Sequence, residues 1–157
     1  MNGGNMLDTK KSSSLEQQRA EDEIFCMVED WLGGKVSRNL KVKMSNNDSV
    51  HIEPDFYSEE YSIIGEIFAH IGGNKRGQST KIANDILKML LLEKDRGRSF
   101  RKIIVVCDEQ EEKTLSGKSA LAESIRQFGI ELKRVDISDE LRDSIVSAQI
   151  RQVMING

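Results

Sequence analysis

One proline, two cysteines, one tryptophan and few aromatic residues of any kind (5% of 157) are what this chain conspicuously lacks. Cys26 and Cys107 stand alone in apolar segments and form no CxxC pair, so neither a disulfide framework nor a structural zinc site is expected. No apolar stretch approaches the roughly 20 residues that span a bilayer. The polar start, Met1 to Lys11, has no apolar heart of a secretory signal. The expectation is a cytoplasmic protein with no membrane partner. The 23 Lys and Arg against 26 Asp and Glu do not mark the whole chain as a nucleic-acid binder. With so few aromatics, base stacking is not expected as the main contact, and any nucleic acid is expected to be held through its backbone phosphates.

What is present describes a globular domain. Hydrophobic residues make up 38% and charged residues 31%, and a chain of this length supports one core. Apolar runs such as Ile103-Ile104-Val105-Val106 exclude a wholly disordered chain. Charge is uneven: between Lys75 and Lys102 nine basic residues face three acidic ones, Asp85, Glu93 and Asp95.

The division into elements follows from periodicity. Residues 1–12 read as a disordered lead and residues 13–157 as one domain. Ser13-x-x-Glu16 has capping-box spacing, and Ile24, Phe25, Val28, Trp31 and Leu32 share a helical face, predicting a helix over 13–32 that Gly33-Gly34 ends. Val36, Leu40, Val42 and Met44 suggest a strand, closed by the turn-forming Ser45-Asn46-Asn47-Asp48. A second strand is predicted over 50–57, where Pro54 implies a bulge, an edge or an end, and a third over 62–71. After the loop Gly72-Gly73-Asn74-Lys75-Arg76-Gly77 comes a helix whose apolar face is read as Ile82, Ala83, Ile86, Leu87, Leu90 and Leu91. A non-alternating run over 102–107 predicts a strand covered on both faces. A helix over 117–128, a strand over 130–137 and a C-terminal helix after Ser138 complete the order α-β-β-β-α-β-α-β-α. Helices on both sides of a mixed sheet, a three-layer α/β/α domain, are expected.

The chemistry is concentrated in the middle. Asp55 follows Pro54, and Glu66 stands inside Ile63-Ile64-Gly65-Glu66-Ile67-Phe68-Ala69-His70. Alternation puts Glu66, Phe68 and His70 on one face of the strand and Ile67, Ala69 and Ile71 on the other. A carboxylate among apolar neighbours is costly without a compensating partner. A divalent metal between two such groups relieves both their desolvation and their repulsion.

Helix, three-strand meander, helix and strand, with Pro54-Asp55 ending the second strand and Glu66-Ile67-Phe68 in the third, resembles the PD-(D/E)XK nuclease superfamily over about residues 20–108. The resemblance implies a restriction-endonuclease-like fold and metal-dependent hydrolysis of phosphodiesters in DNA or RNA. Mg²⁺ or Mn²⁺ is then bound by Asp55, Glu66 and the Ile67 carbonyl. The family's lysine falls two residues after the glutamate, where this chain has Phe68, and a phenyl ring cannot offset charge on phosphate. Some branches of the superfamily carry that lysine on the following helix. Lys81 stands there, sharing a face with Gln78 and Asp85, and Lys75 is the second candidate. Lys75, Arg76 and His70 are candidate phosphate contacts, His70 being equally readable as a packed histidine, and Glu21 as a solvated or an outer carboxylate. Two other readings compete: a nuclease-like fold kept as an inactive binding or assembly module, and a degenerate P-loop. In the latter, Gly72-x-x-x-x-Gly77-Gln78-Ser79 lacks its lysine and Asp108 stands in for the Walker B acid. The sequence leaves open whether the chain acts alone or as a homodimer.

Overall fold

A computed structural model describes residues 3–72 and 76–156, with side chains described over residues 14–72 and 77–155. It is a mixed α/β protein. In chain order the described elements are α1 (Gly3–Trp31), β1 (Val42–Met44), β2 (Asn47–Ile52), β3 (Phe56–Ser58), β4 (Ile63–Phe68), α2 (Arg76–Arg96), β5 (Arg101–Val106), α3 (Glu109–Leu115), α4 (Ala120–Gln127), β6 (Ile130–Arg134) and α5 (Asp139–Asn156). β3 to β6 form a four-stranded sheet in chain order, and β1 and β2 form a separate two-stranded ribbon. β3 runs antiparallel to β4, while β4, β5 and β6 are parallel.

The single proline explains the split of the predicted second strand. Pro54 has no amide to give a ladder and fixes its own φ. The chain therefore leaves the ribbon at Ile52 and re-enters the main sheet at Phe56. The ribbon turns tightly, Met44 pairing with Asn47, so the turn is shorter than the four residues read from sequence. Leu40 lies outside β1 and is exposed.

Alternation along β4 and β5 divides the core in two. Ile63, Ile67, Ile103 and Val105 meet Ala20, Ile24 and Val28 of α1 and Leu141 and Ile145 of α5. Ile64, Phe68, Ile104 and Val106 meet Ile82, Ile86, Met89 and Leu92 of α2, Ile125 of α4 and the inner side of the ribbon. The expected covering of the sheet on both faces is present, and β5 is buried from Lys102 onward. The buried stripe of α2 is rotated from the one read in the sequence: Met89 and Leu92 are fully buried, whereas Leu87 and Leu91 are exposed. α1 begins at Gly3, so Ser13 and Glu16 lie within the helix rather than at its start. Of the lead expected over 1–12, residues 1–2 lie outside the described residues. The helix expected over 117–128 is shorter, and α3 precedes it, capped by Asp108. Among the described residues no helix is long and apolar enough to cross a membrane.

One close approach fixes β3 on β4. Gly65 pairs with Phe56, and a Cβ built on Gly65 would sit 1.9 Å from the buried Phe56 ring. Overpacking of this kind costs about 1–3 kcal/mol or more. Gly65→Ala is therefore expected to lower the urea midpoint without changing the slope, and Phe56→Leu in the same chain to recover part of the loss.

Candidate functional site

Asp55 lies just before β3 and Glu66 within β4, so the antiparallel pairing of these strands brings them together. The Ile67 amide donates to Asp55 Oδ2 at 2.7 Å, and the Asp55 amide donates to Glu66 Oε2 at 3.3 Å. The carboxylates are thus held by each other's backbone. Within a strand residue the N–H and C=O point the same way, so the Ile67 carbonyl faces the Asp55 side, beyond the point where β3 begins. Burial, then the negative charge and shared hydrogen bond of Asp55, pushes the Glu66 carboxyl far above the ordinary carboxylate range.

Two helices add charge around this pair. Glu21 of α1 is raised by burial and by Asp55, an effect opposed by the nearby Lys81 and Arg38 cations. Asp85 of α2 is raised by burial and lowered by Lys81 and Lys88. Lys81 therefore stands in the electrostatic field of Glu21 and Asp85, which in turn sense Asp55. Glu21, read with equal ease as a solvated residue, belongs to the cluster. Asp85 was legible only as part of a polar helical stripe. The i, i+4 step from Lys81 to Asp85, legible in the sequence, is what sets the two side by side.

A cavity of about 720 Å³ adjoins the cluster, bordered by Glu21, Lys81, Gln17, Gln78, His70 and, from α5, Val146. His70 is not loose within it. Its Nδ1 lies 3.2 Å from Glu111 Oε1, its Nε2 lies 3.0 Å from Gln78 Nε2, and its ring stacks on Phe68 with centroids 5.5 Å apart. With the Gln78 amide donating, Nε2 accepts and Nδ1–H donates to Glu111. Gln78 is thus drawn toward His70. Phe68, in the lysine's expected place, is buried.

Comparison with family models, curated proteins and solved structures returned no match to this chain.

Several expectations change. Lys75 lies outside the described residues, as does the side chain of Arg76. Four of the nine cations of the basic segment are taken up by ion pairs: Arg96 and Arg98 pair with Glu59, Arg101 with Glu131, and Lys102 with Glu93. Asp108 is taken up by structure, with Oδ2 accepting the Gly72 and Glu111 amides and Oδ1 accepting from Arg142 at 2.7 Å. Glu111 went unnoticed in the sequence because no helix was expected there. It is fully buried, and its Oε2 has no hydrogen-bond partner among the described residues.

Among the described residues no three His, Cys, Asp or Glu side chains gather into a metal-binding group. The donor set at Asp55 and Glu66 is a carboxylate pair with an adjacent carbonyl. That is hard oxygen chemistry of the kind Mg²⁺ uses, since this ion is commonly held by one or two carboxylates and keeps several waters.

Because folded Glu66 holds its proton more tightly than the unfolded chain does, stability is complete below the ordinary carboxylate range and declines as pH rises. Glu21 and Asp85 act in the same direction. In chelator, the melting temperature is expected to fall as pH rises from the ordinary carboxylate range toward about 10. Glu66→Gln is expected to flatten that fall and to melt several degrees above the parent at the higher pH.

Proposed function

We propose that this chain is a metal-dependent phosphodiesterase acting on nucleic acid, a divergent member of the restriction-endonuclease-like PD-(D/E)XK class. The observation that carries the reading is the meeting of Asp55 and Glu66 in a partly buried edge of the sheet, where their charges oppose each other and a cation is favoured. The helix, antiparallel strands, helix and parallel strand around them support it.

In this reading Asp55, Glu66 and the Ile67 carbonyl hold Mg²⁺ or Mn²⁺. When bound, such an ion polarises a phosphate and lowers the pKa of a coordinated water. Lys81 supplies the cation that Phe68 cannot, facing the phosphate from α2 and offsetting the charge gained by its oxygens in the transition state. Glu21 and Asp85 hold the Lys81 ammonium over the carboxylate pair. Gln78, anchored by His70 and through it by Glu111, orients the incoming water. Contact with the polymer is made mainly through its backbone. The P-loop reading is less favoured because both Asp108 oxygens already serve the fold, bonded to the Gly72 and Glu111 amides and to Arg142.

The test is cleavage of labelled single- and double-stranded DNA and RNA with Mg²⁺ or Mn²⁺. Asp55→Asn keeps an acceptor for the Ile67 amide and Glu66→Gln keeps the side-chain shape, so both should fold. Each is expected to lose at least about a hundredfold in rate, and Lys81→Ala a comparable amount. Cleavage undiminished in both carboxylate variants defeats the assignment. A parent protein that binds Mn²⁺ and nucleic acid but cuts none of the four substrates is the inactive module.

A further inference from the structure

A second surface lies at the C-terminal end of α1, ten residues beyond Glu21. Trp31, the only tryptophan in the chain, and Tyr61, one of two tyrosines, border one shallow pocket of about 400 Å³ with Lys35 and Arg101. Tyr61 is 50% exposed. Lys35 Nζ lies 5.2 Å from the centroid of the Tyr61 ring, and two cations approach Trp31: the Arg101 guanidinium at 5.0 Å and Lys133 Nζ at 4.8 Å. Glu131 holds Arg101 through Nε and Nη2 at 2.9 and 3.1 Å, which leaves Nη1 for another acceptor. Among the described residues neither Lys35 nor Lys133 has an ion-pair partner. In a chain that is acidic overall, an exposed tyrosine and a half-buried tryptophan interleaved with three cations are a local exception.

Rings that offer a face to any base, beside cations that track a phosphate backbone, are the means by which single strands are bound without sequence preference. We infer that Trp31, Tyr61, Lys35, Arg101 and Lys133 form a binding platform for single-stranded nucleic acid. A base stacks on Tyr61, displacing the Lys35 ammonium toward the phosphate, while Arg101 and Lys133 neutralise the next phosphates along Trp31. Ten residues of helix separate Glu21 from Trp31, about 15 Å of rise. The platform extends the proposed function by naming its substrate as single-stranded, but binding there does not depend on cleavage.

Trp31 is its own reporter. In chelator, where no metal-dependent turnover takes place, titration with a short single-stranded oligonucleotide is expected to change Trp31 emission saturably. Affinity should fall with salt along a slope of about −2, as three cations on a single strand imply. Tyr61→Ala should weaken binding about tenfold or more, and Lys35→Gln, at an exposed position, should make the salt slope shallower. Because the titration is run without metal, its outcome is read apart from the fate of the cleavage reading. Unaltered Trp31 emission, equal affinity in Tyr61→Ala, or equal affinity for inorganic polyphosphate, which has no bases, overturns the platform.

Discussion

The mutual grip of Asp55 and Glu66 organises the edge of this protein. Neither carboxylate is simply displayed. Asp55 caps the first backbone amide of β4 that β3 leaves unpaired, and Glu66 takes the amide of Asp55 in return. The arrangement is good for backbone satisfaction and poor for charge, because two acids are brought into a region where burial already disfavours ionisation. Glu21, Asp85 and Lys81 are consequences of that imbalance. They extend the charged cluster onto α1 and α2 and place one ammonium in a field made mostly of carboxylates.

A second polar network, just past the C-terminal ends of β4 and β5, keeps the helices in place around this edge. Asp108 joins the N-terminus of α3 to the residues following β4 and, through Arg142, to α5. Gln149 of α5 donates to the Ile71 carbonyl and accepts from the Ile71 amide at 3.1 and 2.8 Å. Glu111 then supports His70, and His70 meets Gln78 at the start of α2. The chain leaving β4 is thus fixed over several residues, and α2 starts from a defined position. At the opposite end Glu59 accepts from Arg96, Arg98 and the Tyr57 hydroxyl, which holds its carboxyl down near 2 and ties the β3–β4 turn to the residues after α2.

The strands of the parallel core were readable from the sequence because the burial of β5 on both faces leaves an apolar run with no alternation, and the burial of β4 leaves a single acid standing out. Glu66 drew notice for that reason, and Asp55 because it follows the only proline. Helix faces were harder. α2 carries leucines around much of its circumference, so pattern alone could not choose between Leu87 and Met89 as the inward residue; the ribbon packed on one side made the choice. Glu111 was invisible because buried acids carry no local signature, and no helix was expected over 109–115. The basic segment over 75–102 misled for the reverse reason. Arg96, Arg98 and Arg101 are spent on carboxylates distant in sequence, Glu59 and Glu131, which no local window contains.

β3 is only three residues long, and this brevity has an effect outside any chemistry. Past Phe56 the outer side of β4 has no neighbouring strand, and naked ladder edges invite pairing with other molecules. Asp55 closes that edge with an anionic side chain in place of a strand. The same residue that meets Glu66 therefore also acts as a guard against edge-to-edge association, so the exposed behaviour of this edge and the choice of acid at this position are bound to one another.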